Sequence, residues 1–167
     1  MKKLSVETAN ESHLNLVDDI WQMITIEAQQ NNMVTQSPEA IKEQITKGDA
    51  ILAFMNGQVV GYVCLEHWTN YIEIGALTVK PNYRQHRIGT KLTQSVLRLA
   101  LSKYPEKSTI ILPNQISSQI MLKLGFVEKE KDFFDPEIWS LCSACIDQPN
   151  FPNCRCQAMI WPNHKEK

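Results

Sequence analysis

The sequence predicts a mixed α/β fold, because helix-like and strand-like hydrophobic periods alternate along its 167 residues. Apolar residues recur every three to four positions before residue 30 and again from 88 to 99, whereas β-forming residues dominate between 50 and 79. Hydrophobic residues make up 43% of the chain and charged residues 21%, which is typical of a globular protein. We therefore expect one domain over residues 1–167.

Two helices are predicted first. Thr8 and Glu11 have capping-box spacing, and the apolar positions that follow predict a helix over residues 11–30. Ser37-Pro38-Glu39 supplies the start of a second, short helix, which ends at Gly48.

Three strands follow and predict an antiparallel meander. AILAF and VVGYVCLEHW are separated by Asn56-Gly57, a dipeptide that fits a two-residue hairpin turn, and YIEIGALTV comes after Thr69-Asn70. The remaining predicted elements are a helix that ends before Tyr104-Pro105, a strand at 108–112, a helix from Pro113-Asn114 to Gly125, and a last hairpin formed by FVEKEKDFF and CQAMIW.

Charge and hydropathy exclude several kinds of partner. A net charge of −1 leaves no broad basic face for nucleic acid. No apolar run reaches the ~20 residues that span a bilayer, and the first twelve residues lack the apolar stretch of a signal peptide. We expect a cytoplasmic protein that binds neither nucleic acid nor membrane.

The segment ALTVKPNYRQHRIGTKL, residues 76–92, predicts an anion site. A strand that leads through a polar loop into a helix presents unpaired N–H groups beside the positive end of the helix dipole. Arg84, His86 and Arg87 add cationic groups, and Gly89 lets the backbone approach a ligand such as pyrophosphate. A solvated helix start with nothing bound is the alternative.

The same segment resembles the GNAT superfamily of acetyl-CoA-dependent N-acetyltransferases. The run from Leu77 to Arg84 reads L-x-V-x-P-x-Y-R, and the acyl-CoA loop runs from Arg84 to Gly89, with Arg87 in place of the usual middle glycine. A second family segment covers residues 114–126, where Met121 replaces a frequent tyrosine that protonates the leaving CoA thiolate. A thioether cannot donate that proton.

The resemblance implies a sheet of about seven mostly antiparallel strands flanked by about four helices, with acetyl-CoA bound between the fourth and fifth strands. Backbone groups at the end of the third meander strand would bond the pantetheine arm, and N–H groups of the loop would hold the pyrophosphate. The expected cofactor-binding residues are Leu77, Thr78, Val79, Arg84, Gln85, His86, Arg87, Ile88, Gly89, Thr90 and Asn114.

Glu73 is the candidate general base. By the two-residue period of a strand it shares a face with Gly75, Leu77 and Val79, and it lies four residues before the expected pantetheine segment. A solvated or ion-paired carboxylate is the alternative. Further candidates for the wall of the acceptor cleft are His67, Tyr62 and Tyr71.

Four cysteines lie in the connection at residues 135–155 and immediately after it. Cys142 and Cys145 are separated by two residues, as are the ligands of many zinc sites, and Cys154 and Cys156 follow. We expect four thiolates to bind one zinc ion and to pin this Cys-rich loop; free thiols or a redox pair are the alternatives. Cys64, alone in a strand, is expected in the core.

The sequence thus predicts an acetyltransferase that moves the acetyl group of acetyl-CoA to a primary amine of a small molecule or peptide by direct attack. The alternative is a non-catalytic CoA-binding or protein-interaction module stabilised by a zinc-bound cysteine loop. The sequence leaves the acceptor and the oligomeric state open.

Overall fold

A computed structural model describes residues 3–162 and shows one seven-stranded sheet with the strand order β1-β2-β3-β4-β5-β7-β6. The strands are β1 (Leu4–Thr8), β2 (Ala50–Met55), β3 (Gln58–His67), β4 (Tyr71–Val79), β5 (Ser108–Ile111), β6 (Val127–Lys129) and β7 (Ala158–Ile160). The α-helices are α1 (Val17–Gln29), α2 (Pro38–Lys47), α3 (Ile88–Lys103) and α4 (Gln115–Leu124).

The sheet is mixed, as the sequence predicts. β2, β3 and β4 form the expected antiparallel meander, and β4 pairs with β5 in parallel. β7 then inserts between β5 and β6 and is antiparallel to both. The parallel pair is short: it begins at Tyr71 opposite Ser108 and ends at Ile74 opposite Ile111.

The two faces of the sheet carry separate hydrophobic cores. Helices α3 and α4 cover one face, where buried residues such as Leu92 and Met121 pack against β2, β3 and β4. Helices α1 and α2 cover the other, where Ile20, Ile41 and Tyr62 are fully buried. Side chains of the meander that point to the α1/α2 face therefore lie beneath these two helices.

The N-terminal region differs from its prediction. The polar segment LSVET forms the edge strand β1, which the sequence analysis did not identify. A 3₁₀ turn occupies Glu11–Leu16 before α1 begins at Val17. Its cap is Asn10, whose side chain accepts from the Ser12 N–H, so the expected Thr8 and Glu11 capping box is wrong. Thr8 is instead the last residue of β1.

Local turn signals elsewhere are confirmed. Ser37 caps α2 by accepting from the Ala40 N–H at 3.1 Å, and Gly48 ends that helix in the left-handed conformation. Asn56 and Gly57 both have positive φ, as a two-residue hairpin of this type requires. No helix within residues 3–162 is long and apolar enough to cross a membrane.

Gly61 allows the close approach of β3 to α3. A Cβ atom at this position would lie 2.8 Å from Leu92 Cδ1 and 3.3 Å from the carbonyl oxygen of Thr78, so the buried Leu92 side chain would have to move and the backbone oxygen would stay in tight contact. We expect Gly61→Ala to lower the free energy of unfolding by about 1–3 kcal/mol, measured from urea midpoints.

Gly89→Ala is the matched control, because a Cβ atom there meets nothing within 4 Å. Alanine favours a helix over glycine by up to about 1 kcal/mol, so this variant should be at least as stable as the parent. Equal midpoints for the parent and Gly61→Ala would contradict the close-packing argument.

Candidate active site

β4 continues past the end of β5, and the space beside its unpaired end is called the cleft below. Beyond Ile74 and Ile111 the two strands no longer pair, so one edge of Gly75–Val79 is without a neighbouring strand. The other edge stays bonded to β3, with Thr78 opposite Tyr62. Free main-chain donors and acceptors along such an edge bind an extended chain that carries amide groups.

The loop after β4 leads these groups into the start of α3. Gln85 and Arg87 have φ values of 66° and 59°, and the helix begins at Ile88. The first N–H groups of a helix have no partner within it and attract anions. The space beside Gly89 is open, so a ligand can reach this end of the helix.

Arg87 takes the left-handed conformation even though it has a side chain. It stands at the position where the sequence motif usually has glycine. For a residue with a side chain this conformation costs roughly 1–2 kcal/mol. Its φ of 59° and ψ of 18° are accessible to glycine without that cost. The substitution therefore does not prevent a left-handed backbone at this point of the loop.

Hydrogen bonds connect the two sides of the cleft through the α1–α2 connection. Arg84 forms an ion pair with the buried carboxylate of Glu27 in α1, and its Nε donates to the Val79 carbonyl at 3.1 Å. Glu27 also accepts from Asn32 Nδ2 at 3.0 Å. The Asn32 carbonyl accepts from Asn114 Nδ2 at 3.3 Å on the β5 side.

Two predicted cofactor residues therefore already have partners. The Arg84 guanidinium is held by α1, and the Asn114 side-chain oxygen caps α4 by accepting from the N–H groups of Ile116 and Ser117. Their contact with a cofactor stays a prediction, as it does for the rest of the loop. Next to this network lies a cavity of about 300 Å³ between α1 and the end of β4, lined by Asp19, Gln22, Met23, Ile26, Glu27 and residues 78–83.

Glu73 lies on β4 within the part that still pairs with β5. Its carboxylate accepts a hydrogen bond from Trp68 Nε1 at 2.8 Å. Burial raises the pKa of Glu73 to about 7; the Trp68 hydrogen bond opposes this rise, and the charge of Glu66 adds to it. A carboxyl group with this pKa exchanges protons readily near neutral pH, as a general base must.

The strand face predicted for Glu73 is only partly right. Ala76 has a φ of 51°, and the pairing with β3 shifts by one residue near this point. Such a bulge changes which side chains share a face. Leu77 and Val79 consequently pack against the α3/α4 core, whereas Gly75 lies with Glu73 on the α1/α2 face, as predicted.

Other predicted cleft residues have structural partners. His67 follows Glu66 in β3 and forms a 2.8 Å contact with the buried Asp49; its place in the acceptor cleft stays a prediction. Tyr71 packs against Phe134. Tyr62 is fully buried and donates its hydroxyl proton to Gln44, and Met121 lies in the α3/α4 core.

The sequence analysis missed Glu66. It is directly opposite Glu73 in the β3–β4 register, and it accepts hydrogen bonds from Gln36 and from Gln44 Nε2, the latter at 2.8 Å. The signal was present: a tight turn at Thr69-Asn70 places residues 66 and 73 at equal distances from its centre.

The comparison with known families decides what this arrangement is. The sequence matches the acetyltransferase (GNAT) family over residues 17–126, more than half of the chain. The chain belongs to the GNAT acetyltransferase family. An uncharacterised N-acetyltransferase of Chlorobaculum tepidum is 30% identical over 114 residues, which cover 68% of this chain and 70% of that protein.

Solved GNAT structures share the fold at low sequence identity. N-acetylglutamate synthase of Neisseria gonorrhoeae, complexed with coenzyme A and N-acetyl-glutamate, superposes with a TM-score of 0.73 at 15% identity over 96% of this chain, which spans 36% of that protein. Rv2747 of Mycobacterium tuberculosis, in complex with CoA, gives 0.72 at 20% identity, covering 95% and 99%. The diaminobutyrate acetyltransferase of Paenibacillus lautus, with its substrate and coenzyme A, gives 0.67 at 9%, covering 97% and 96%.

The cysteine-rich loop of this GNAT protein shows no candidate metal site among the described residues. Within residues 3–162 no group of three or more His, Cys, Asp and Glu side chains is placed to hold a metal ion, and all five cysteines are free. Lys131 Nζ lies 2.8 Å from Cys154 Sγ and donates to the Pro152 carbonyl at 2.5 Å. An ammonium group therefore lies against one of the four expected ligands, and the described arrangement does not support the zinc hypothesis.

Other contacts fix this loop to the acetyltransferase sheet. Glu137 accepts from the Thr69 N–H at 2.7 Å and from its hydroxyl at 2.9 Å, and Asp135 accepts from Asn70 Nδ2 at 2.7 Å. Phe134 and Ile138 join a third hydrophobic core. The loop thus reaches the β3–β4 turn, close to Glu73, and these contacts hold it there through protein groups.

Cysteine reactivity tests this description. Burial raises the pKa of the Cys64 thiol well above its usual value, and Cys64 is fully buried, so we expect it to react with a disulfide reagent only after unfolding. The four loop cysteines are half-buried and should react in the native protein. Cys156 should be slow among them at pH 8, because burial raises its pKa to about 11. Thiol counts in native and denatured protein measure this.

A Cys64→Ala variant is the control, since it should leave the native count unchanged and lower the denatured count by one. If the loop thiols were protected in the native protein and a chelator removed that protection, the loop would bind a metal ion and the arrangement described here would be wrong.

Proposed function

We propose that the protein transfers the acetyl group of acetyl-CoA to a primary amine by direct attack, without a covalent enzyme intermediate. The observation that carries this proposal is the position of Glu73, a partly buried carboxylate at the point where β4 and β5 separate. A base beside a free strand edge suits a reaction between an extended cofactor and an amine.

The free edge of β4 and the start of α3 would hold the cofactor. The main-chain groups of Leu77–Val79 that point away from β3 would bind the amides of the pantetheine arm, because β5 no longer pairs there. The Val79 carbonyl accepts from Arg84 Nε at 3.1 Å and would have to exchange that partner. N–H groups from Gln85 to Thr90 are available to the pyrophosphate at the positive end of a 16-residue helix. The CoA complexes of the similar solved structures support this assignment.

Glu73 would take the proton that the amine loses. The amine nitrogen attacks the thioester carbonyl, a C–N bond forms, the C–S bond breaks, and the proton passes to the Glu73 carboxylate directly or through one water. The leaving CoA thiolate takes a proton from solvent. A thiol with a pKa of about 8.5 leaves without help from an acid, which suits the buried thioether at Met121.

The rival function is a CoA-binding module without catalysis. Met121 favours it, because its side chain provides no acid. Arg87 no longer does, because the loop has a left-handed residue there despite the side chain. Release of free CoA thiol from acetyl-CoA in the presence of an amine panel separates the two, since a module that only binds CoA releases none above background.

Binding of CoA should depend on Gly89. Gly89→Glu places a carboxylate in the open space beside the helix start, where it opposes the pyrophosphate by charge and by volume. We expect CoA affinity measured by calorimetry to fall at least about a hundredfold, while the circular dichroism spectrum stays unchanged. Gly89→Ala is the matched control and should bind within a few-fold of the parent. Unchanged affinity in Gly89→Glu would place the cofactor elsewhere.

Catalysis should depend on the ionisation of Glu73. With a pKa of about 7, the carboxyl is protonated below this pH and becomes a base above it, so kcat/KM should rise through pH 7. Glu73→Gln should lower kcat by about 10²–10⁴-fold and remove this inflection, with CoA affinity little changed. The exposed Glu106→Gln is the charge-matched control. A parental rate and pH profile in Glu73→Gln would show that Glu73 is not the base.

A further inference from the structure

The acceptor side of the cleft contains two carboxylates that face each other. Glu66 on β3 is the direct cross-strand partner of Glu73 on β4, and Cys64 and Gly75 form the next pair on the same face. Opposed side chains in an antiparallel sheet have Cβ atoms about 5 Å apart. Two like charges at that separation repel each other, which destabilises the pair unless one carboxyl is protonated or a cation lies between them.

Hydrogen bonds hold Glu66 in place. Its Oε1 accepts from Gln36 and from Gln44 Nε2, and Gln44 is itself oriented by the hydroxyl of the fully buried Tyr62. The carboxylate is therefore fixed by side chains from α2 and from the connection before it. A solvated strand carboxylate would need no such support.

One oxygen of each carboxylate is left for a ligand. The hydrogen bonds among residues 3–162 use Oε1 of Glu66 and Oε2 of Glu73. The second oxygens are not among the sealed, unpaired polar atoms of this region, so each retains contact with solvent. Gln36 Oε1, by contrast, is sealed and lacks a donor. The two carboxylate oxygens are thus the acceptor atoms of this site that remain open to a ligand, whereas the sealed Gln36 Oε1 is out of its reach.

Cationic side chains near the site are paired elsewhere. Among the described residues no ion pair includes Glu66 or Glu73: Arg84 pairs with Glu27, and Lys103 pairs with Asp49. Lys131 is held by the cysteine-rich loop. The site therefore offers hydrogen-bond acceptors and negative charge, a combination that suits an ammonium group and repels a carboxylate.

We propose that the acceptor is a diamine, or another amine with a second ammonium group and no carboxylate nearby, and that Glu66 selects it. This inference rests on the proposed function and names the substrate class of the same site. Glu66 binds the distal ammonium, and Glu73 accepts the proton from the amine that attacks. The C–N bond forms as the C–S bond of the thioester breaks, and the CoA thiolate leaves.

Three acceptors with four carbon atoms each test the inference. They are putrescine, butylamine and γ-aminobutyrate. They share one reacting amine and differ at the far end, which is an ammonium, a methyl or a carboxylate. We expect kcat/KM, measured by thiol release from acetyl-CoA, to be highest for the diamine by about tenfold or more over butylamine, with aminobutyrate lowest.

Glu66→Gln keeps the size and the hydrogen-bonding groups but removes the charge. It should raise the KM for the diamine about tenfold or more, leave that for butylamine within about twofold, and leave CoA affinity unchanged. The ratio of kcat/KM for the diamine to kcat/KM for butylamine does not depend on how much of the variant is folded. Glu106→Gln should preserve the parental ratio.

The outcomes separate this inference from the proposed function. Turnover in which aminobutyrate matches or exceeds the diamine, or a diamine preference that survives Glu66→Gln, would overturn the acceptor class while leaving the acetyltransfer intact. CoA binding with no thiol release above background from any amine would overturn both.

Discussion

The separation of β4 from β5 after Ile74 and Ile111 is the constraint on which the rest of the structure depends. A strand edge inside a sheet cannot stay unpaired in the core, because its N–H and C=O groups lose their water there. The unpaired end of β4 meets this requirement in part, because Leu77 and Val79 are only half-buried and the Val79 carbonyl accepts from Arg84 Nε. The start of α4 and the connection after α1 then meet across the mouth of the gap through Asn114 and Asn32.

The α1/α2 face shows how a sheet can carry partly buried acids. Burial raises the pKa of both Glu66 and Glu73, so water alone does not stabilise their charged forms there. Amide and hydroxyl groups from Gln36, Gln44 and Tyr62 take the place of part of that water. These hydrogen bonds hold the side chains in one arrangement, although Gln36 Oε1 itself has no donor among the described residues.

Local patterns predicted most of the fold, and long-range contacts account for what was missed. The hairpin at Asn56-Gly57 and the bounds of α2 depend on neighbouring residues and were confirmed. β1 was missed because LSVET is short and polar, and becomes a strand only through pairing with β2. Glu66 is a different case, because the hairpin turn at Thr69-Asn70 already placed it opposite Glu73 and the sequence analysis did not use that register. The cysteine spacing gave no sign that Lys131 would lie against Cys154.

The bulge at Ala76 divides β4 into two independent halves. Before it, odd-numbered positions such as Glu73 face α1 and α2; after it, odd-numbered positions such as Leu77 and Val79 face α3 and α4. The half that carries Glu73 and the half that carries Leu77 and Val79 can therefore diverge separately, provided that the strand keeps its length. A one-residue gap in this strand in an alignment would assign every side chain of one half to the wrong face of the sheet. It would then place apolar residues in the cleft and a carboxylate in the core.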